Sequence, residues 1–284
     1  MAMREKSYLG LSMHGFHQVA YTEWGAPSET RVAICVHGLT RTGRCFDFIA
    51  EALEDRYRLA CPDMPGRGKS HWFPNPALYR PPAYLADLNV LIARMDTAEV
   101  DWVGTSMGGI LGMMLAAQPN TPIRKLVVND VGPFIDKAAL ARIGGYIGLD
   151  PTFRSLEALE AYLREVHAPF GPLTDAQWRH LAIYSARRDE AAEVWRLHYD
   201  PALAKPFRED SAEDVDLWAV WEAITCPVLI IRGAESDILL HETAEEMLTR
   251  GPEAELVELP GIGHAPTLMD PAQIAVVRDW LLAR

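Results

Sequence analysis

Ser106 lies in Gly104-Thr105-Ser106-Met107-Gly108, a G-x-S-x-G directly after the short run Asp101 to Val103 and directly before an apolar helical run through Ala117. A serine on a tight strand-to-helix turn projects its hydroxyl clear of the backbone. The flanking glycines relieve the crowding of such a turn, and the helix start aims backbone N–H groups at developing negative charge. A serine hydroxyl is a weak nucleophile at neutral pH, so the chemistry needs a histidine base and an acid that orients it. Gly261-Ile262-Gly263-His264 supplies a histidine in a glycine-rich loop after the last strand-like run and before the closing helix. The acid candidate is Asp237, in Arg232-Gly233-Ala234-Glu235-Ser236-Asp237 just past Pro227 to Ile231; Glu235 or Asp130 could serve instead. Asp237 is favoured because the glycine turn at Gly233 lets a side chain fold back toward the His264 loop, whereas Asp130 is followed by Gly132-Pro133, where the chain leaves the sheet. The order Ser106, Asp237, His264 is the one expected of hydrolases built around a serine elbow. A fourth piece is His37-Gly38-Leu39-Thr40, at the end of Arg31 to Val36, which can bring the Leu39 N–H beside that of Met107 as an oxyanion hole.

The elements that must position these residues alternate. Strand-like runs at Arg31 to Val36, Tyr57 to Cys61, Asp101 to Val103 and Lys125 to Val128 are separated by helical patterns around Phe46 to Glu54, Ala83 to Met95 and Met107 to Ala117. This is the pattern of a mostly parallel sheet with crossover helices. Strands return at Pro227 to Ile231 and Ala254 to Leu259, and Pro271 to Leu282 reads as a closing amphipathic helix. Between them, Pro133 to Trp221 is rich in Ala, Leu, Glu, Arg and Trp without a convincing strand, and Leu156 to Val166 and Asp175 to Ser185 carry helical spacing. The expectation is a helical cap over 133–221, inserted into a core formed by 1–132 and 222–284.

Composition excludes several classes. The 284 residues carry 27 Lys and Arg against 39 Asp and Glu, a net charge of −12, with no long basic run. Nucleic acid and anionic membrane surfaces are therefore poor partners. The 49% of hydrophobic residues suffices for a large core. No unbroken apolar stretch is long enough for a secretory signal or a membrane span, which points to a soluble, cytoplasmic protein. Cys35, Cys45, Cys61 and Cys226 form no C-x-x-C pair, and His241-Glu242 lacks the second histidine of a zinc-protease helix, so no metal is expected.

From about Val32 onward the chain resembles the α/β-hydrolase family. The resemblance rests on the His37-Gly38 loop, the Asp63-Met64-Pro65-Gly66-Arg67-Gly68-Lys69-Ser70 turn, the elbow Gly104 to Gly109, the Gly233 to Asp237 loop and the His264 loop. It implies an eight-stranded, mostly parallel sheet with helices on both faces and a helical cap, a Ser-His-Asp triad and no cofactor. Dehalogenases and epoxide hydrolases of the family present an aspartate at the elbow, which Ser106 excludes. Carbon–carbon bond hydrolases commonly carry Asn before the serine and a Ser/Gly-rich oxyanion loop, from which Thr105 and Leu39-Thr40-Arg41 depart. The expected activity is thus hydrolysis of a small or medium carboxylic ester through an acyl-enzyme. Lactone, thioester and carbon–carbon bond hydrolysis stand behind it, as does a ligand-binding receptor of slow turnover. Trp178, Trp195, Trp218 and Trp221, with Tyr184, are the candidates for an apolar acyl pocket, and Arg41 is the candidate for recognising an acidic substrate.

Overall fold

A computed structural model describes residues 3–210 and 213–283. Eight strands form one sheet: β1 (Arg4–Ser12), β2 (Gly15–Trp24), β3 (Val32–Val36), β4 (Arg58–Pro62), β5 (Val100–Thr105), β6 (Ile123–Asn129), β7 (Val228–Gly233) and β8 (Ala254–Leu259). Their spatial order is β1-β2-β4-β3-β5-β6-β7-β8; β1 and β2 run antiparallel to their neighbours and every pairing from β4 to β8 is parallel. Central strands of such a sheet are covered on both sides and read as continuous apolar runs, as β3 and β7 do, being buried throughout.

Side chains alternate between the two faces. Ala33, Cys35, Leu59, Cys61, Val103 and Val127 pack under α1 (Asp47–Leu53) and the terminal helix Pro271–Leu282. Ile34, Val36, Trp102, Leu126 and Val128 belong to the opposite core with α2 (Pro81–Arg94), α3 (Met107–Ala116) and the helix His241–Thr249. The four cysteines are free, and Cys35, Cys61 and Cys226 are buried.

Between β6 and β7 the chain builds α4 (Lys137–Tyr146), α5 (Leu156–Val166), α6 (Asp175–Ser185), α7 (Ala204–Asp210) and α8 (Trp218–Glu222). Their starts are written locally. Ser155 caps α5, and Thr174 with Gln177 forms a reciprocal capping box on α6. Gln177 also donates to the Met269 carbonyl at 2.9 Å, tying α6 to the loop after His264. The last helix returns to the sheet, where Trp221 is fully buried and its indole N–H donates to the Arg250 carbonyl.

Two features differ from expectation. Arg4 to Trp24 form the β1–β2 hairpin, turned at Gly15 with φ of 101°. The inserted segment also contains strands: Val194–Leu197 pairs with Ala186–Asp189 and with Thr152–Phe153. The polar turn between the first two is closed by the Asp189 carboxylate accepting from the Ala192 N–H, and its charged residues mask the alternation that marks a strand.

Candidate active site

The elbow is built from β5 and α3. Ser106 has φ of 52° and ψ of −115°, a conformation that L-residues occupy only when their surroundings impose it. Its N–H donates to the Asn129 carbonyl at 2.9 Å, and its own carbonyl accepts from Gly109 and Ile110. The motif glycines are there for space. A Cβ at Gly104 would lie 2.2 Å from the Gly108 carbonyl oxygen, and one at Gly108 would lie 1.9 Å from that of Val36. Both approaches are closer than any side chain tolerates, so strand, turn and helix can meet only with glycine at these two positions.

Ser106 Oγ lies 3.0 Å from His264 Nε2, and His264 Nδ1 lies 2.8 Å from Asp130 Oδ2. The carboxylate beside the imidazole is therefore that of Asp130, at the end of β6, and not that of Asp237. Asp237 is exposed and pairs with Arg142 of α4 at 2.5 Å, and Glu235 is also exposed. The Gly233 to Asp237 loop meets Asp130 all the same. The Gly233 N–H donates to Asp130 Oδ1 at 2.8 Å, and the Ser236 hydroxyl donates to Oδ2 at 2.7 Å. Asp130 is fully buried, so these donors replace the water it has lost. Asn129 joins the elbow to the histidine loop, its side-chain amide reaching Thr105 Oγ1 at 3.0 Å and the Pro266 carbonyl at 2.8 Å.

Gly38 to Arg41 and Ser106 line the same cavity, and Met107 opens α3 directly after Ser106. Among the described residues, no hydrogen bond engages the backbone N–H of Leu39 or Met107. Two buried side chains fix this arrangement. His37 Nε2 accepts from the Met64 N–H at 2.9 Å, so its proton is on Nδ1, which donates to the Gly38 carbonyl at 2.7 Å. Burial, together with the Arg67 guanidinium, holds this imidazole well below its ordinary range and therefore neutral. Arg67 is wholly buried and donates to the Leu39 carbonyl at 2.7 Å, with a further contact to Met107 Sδ at 3.4 Å. Its other bonds go to the Pro65 carbonyl and the Tyr84 hydroxyl. Arg67 escaped the sequence analysis because an arginine in a glycine-rich turn gives no sign of burial.

Above Ser106 lies a cavity of about 490 Å³. The core contributes Gly38 to Arg41, Ser106 and His264; the segment between β6 and β7 contributes Ile143, Tyr146, Tyr162, Leu163, Phe170 and Tyr199 among others. Arg41 lines it, but Trp178, Tyr184, Trp195, Trp218 and Trp221 do not. Trp178 is buried against Arg164, Tyr184 stacks on Arg44 with 3.8 Å from guanidinium carbon to ring centroid, and Trp195 lies beside Arg188. The aromatic wall is instead made of Tyr146, Tyr162, Tyr199 and Phe170. Tyr146 and Tyr162 sit on α4 and α5, whose amphipathic spacing leaves the facing side undetermined. Among the described residues, no cluster of His, Cys, Asp or Glu is placed to hold a metal ion, and no helix is long and apolar enough to cross a membrane.

The comparisons agree with this architecture. A 3-hydroxybutyrate-oligomer hydrolase of Cupriavidus necator is 50% identical over 277 residues, covering 95% of this chain and 94% of the relative. A crystal structure of an alpha/beta hydrolase from Novosphingobium aromaticivorans superposes with a TM-score of 0.87 at 36% identity, and one of a Rickettsia typhi protein with 0.91 at 32%; each covers 99% of both chains. The model of the alpha/beta hydrolase family matches residues 33–277. The protein is a hydrolase and belongs to the alpha/beta hydrolase family.

Proposed function

We propose that the protein is a serine hydrolase of small carboxylic esters, of the kind found in 3-hydroxybutyrate oligomers, with Ser106, His264 and Asp130 as its triad. The observation that carries this reading is the unbroken path from Ser106 Oγ through His264 to a buried, doubly supported Asp130. Ser106 Oγ attacks the ester carbonyl while His264 Nε2 takes its proton. The Leu39 and Met107 N–H groups hold the oxyanion. Collapse breaks the C–O bond to the alcohol, which leaves with the proton from His264, and the acyl group stays on Ser106. Water then attacks the acyl-enzyme, giving its proton to His264; the second collapse releases the acid and returns the proton to Ser106. Asp130 accepts from Nδ1–H throughout, holding the tautomer and stabilising the imidazolium.

Support for the ester class comes from the 50%-identical relative, since 3-hydroxybutyrate oligomers are joined by ester bonds. The segment 133–221 acts in this reading as a cap that selects acyl and alcohol groups through α4 and α5. The test is turnover of a 3-hydroxybutyrate dimer and an aryl butyrate by the wild type and by Ser106→Ala. The variant is expected to lose on the order of 10⁶ in kcat, and an organophosphonate is expected to label Ser106 alone. Full turnover by Ser106→Ala removes the mechanism. Ligand-dependent melting of the wild type without product would make it a receptor.

A further inference from the structure

The cavity is lined by two arginines whose surroundings differ. Arg142 is neutralised by Asp237. Arg41, among the described residues, has no carboxylate at ion-pair distance. Its Nη1 donates to the Ser185 hydroxyl at 2.9 Å and its Nε to Cys45 Sγ at 3.3 Å, and both partners are uncharged acceptors. These two bonds hold the guanidinium in one orientation and leave Nη2 and the second Nη1 proton free, the forked end that matches two oxygens of one anion. The side chain is half-buried and lines the cavity with Ser185.

Arg41 is also close to the nucleophile. A Cβ built on Gly38 would lie 3.6 Å from Ser106 Cβ and 4.0 Å from Arg41 Cγ, so the two side chains rise from either side of one glycine. Its charge reaches further into the interior. After burial itself, Arg41 is the next cause that pushes the His167 and His198 imidazoles down to about 3, which leaves both neutral. Both ring nitrogens of the buried His198 lack a hydrogen-bond partner among the described residues. An uncompensated cation thus faces a largely apolar cavity in a chain whose net charge is −12.

We propose that Arg41 is a specificity-determining residue that binds a free carboxylate of the substrate, so that the preferred substrates are ester acids rather than neutral esters. The inference rests on the ester-hydrolase reading above and names its substrate class. In an oligomer of a 3-hydroxy acid with a free acid end, the terminal carboxylate stands only two carbons from the last ester oxygen. Such a molecule can engage Ser106 and a cation beside it together.

The experiment compares kcat/KM for the 3-hydroxybutyrate dimer acid with that for its methyl ester, both measured on one preparation so that the fraction of active protein cancels. The wild type is expected to favour the acid at least about tenfold, and Arg41→Gln to lower the acid-to-methyl-ester ratio by about tenfold to hundredfold, mainly through KM for the acid. Arg41→Lys, which keeps the charge and loses the fork, should fall between. Ser185→Ala, which frees the guanidinium from its anchor, should lower the ratio a few-fold and gives the same reading if Arg41→Gln does not fold. A wild type that favours the methyl ester, or a ratio unmoved in these variants, overturns the inference while leaving the esterase reading intact. Failure of the wild type to cleave either compound removes both.

Discussion

β6 and β7 lie side by side in parallel, and each ends in a loop that carries an aspartate, yet the two carboxylates meet opposite environments. Asp130, one residue past β6, is fully buried and accepts from the Gly233 N–H, the Ser236 hydroxyl and His264. Asp237, four residues past β7, has a side chain 57% exposed and faces Arg142 across the cavity rim. A carboxylate in water is screened and shared with solvent, so an ion pair there contributes little. One sealed from water acts at full strength on the group it touches, provided fixed donors compensate its burial. In the proposed triad the later loop therefore serves the earlier carboxylate, supplying two donors to Asp130 rather than the acid itself. Candidacy for the acid role depends on which loop closes over which carboxylate more than on which strand comes last.

Exchanging the two acids one at a time gives the largest expected effect. Asp130→Asn keeps the shape but presents an amide to His264, and kcat should fall on the order of 10³–10⁴. Asp237→Asn should stay within a few-fold, with circular dichroism confirming the fold of both. A large loss at Asp237 alone would reverse the comparison. Next in size is Ser236→Ala, which removes one donor from Asp130 while the Gly233 N–H remains. A hydrogen bond to a charged group contributes about 1.5–3 kcal/mol, so kcat is expected to drop by roughly one to two powers of ten. An unchanged rate would show that Asp130 is held by the backbone alone.

The smallest effect concerns stability, and it extends the contrast between sealed and solvated groups to a neutral one. Burial takes His198 down to about 3, below the ordinary 6.5. Between those values the unfolded chain binds a proton that the folded chain does not. This contribution to stability is present above pH 6.5 and is lost as pH falls. The slope from one such group is at most about 1.4 kcal/mol per pH unit. His198→Leu should therefore flatten the acid side of the stability curve by up to that amount, read from melting between pH 7.5 and 4.5. An identical slope would mean that the imidazole acquires a partner on acidification.

Much of this was legible in the sequence. Apolar runs separated by helical periods gave the six strands from β3 to β8, and Ala254–Leu259, Leu156–Val166, Asp175–Ser185 and Pro271–Leu282 match the structure end to end. The motifs around Ser106, His264 and Leu39 mark turns, and the structure brings Ser106 within 3.0 Å of His264 and places Leu39 in the cavity above it. What stayed hidden depends on contacts between distant segments. Gly233 and Ser236 reach Asp130 across a separation of more than a hundred residues, and the burial of Arg67 depends on Leu39, Tyr84 and Met107 converging on it. The β1–β2 hairpin was different, since alternation was available there: Val19 and Tyr21 point into the core while Phe16 is exposed.

The backbone of Ser106 carries one more consequence. A residue other than glycine held at such dihedrals costs on the order of 1–3 kcal/mol, which the surrounding bonds to Asn129, Gly109 and Ile110 sustain. The fold has no use of its own for that strain; in the proposed mechanism it is the chemistry that requires a side chain at the apex of the turn. Gly104 and Gly108 are the reverse, required by packing whether or not the site works. In a lineage released from selection for activity, Ser106 would therefore be the first of the three to drift, and glycine its most comfortable successor. Under the proposed mechanism, a homologue with both elbow glycines intact and a third glycine in place of the serine would be a retired enzyme that still folds.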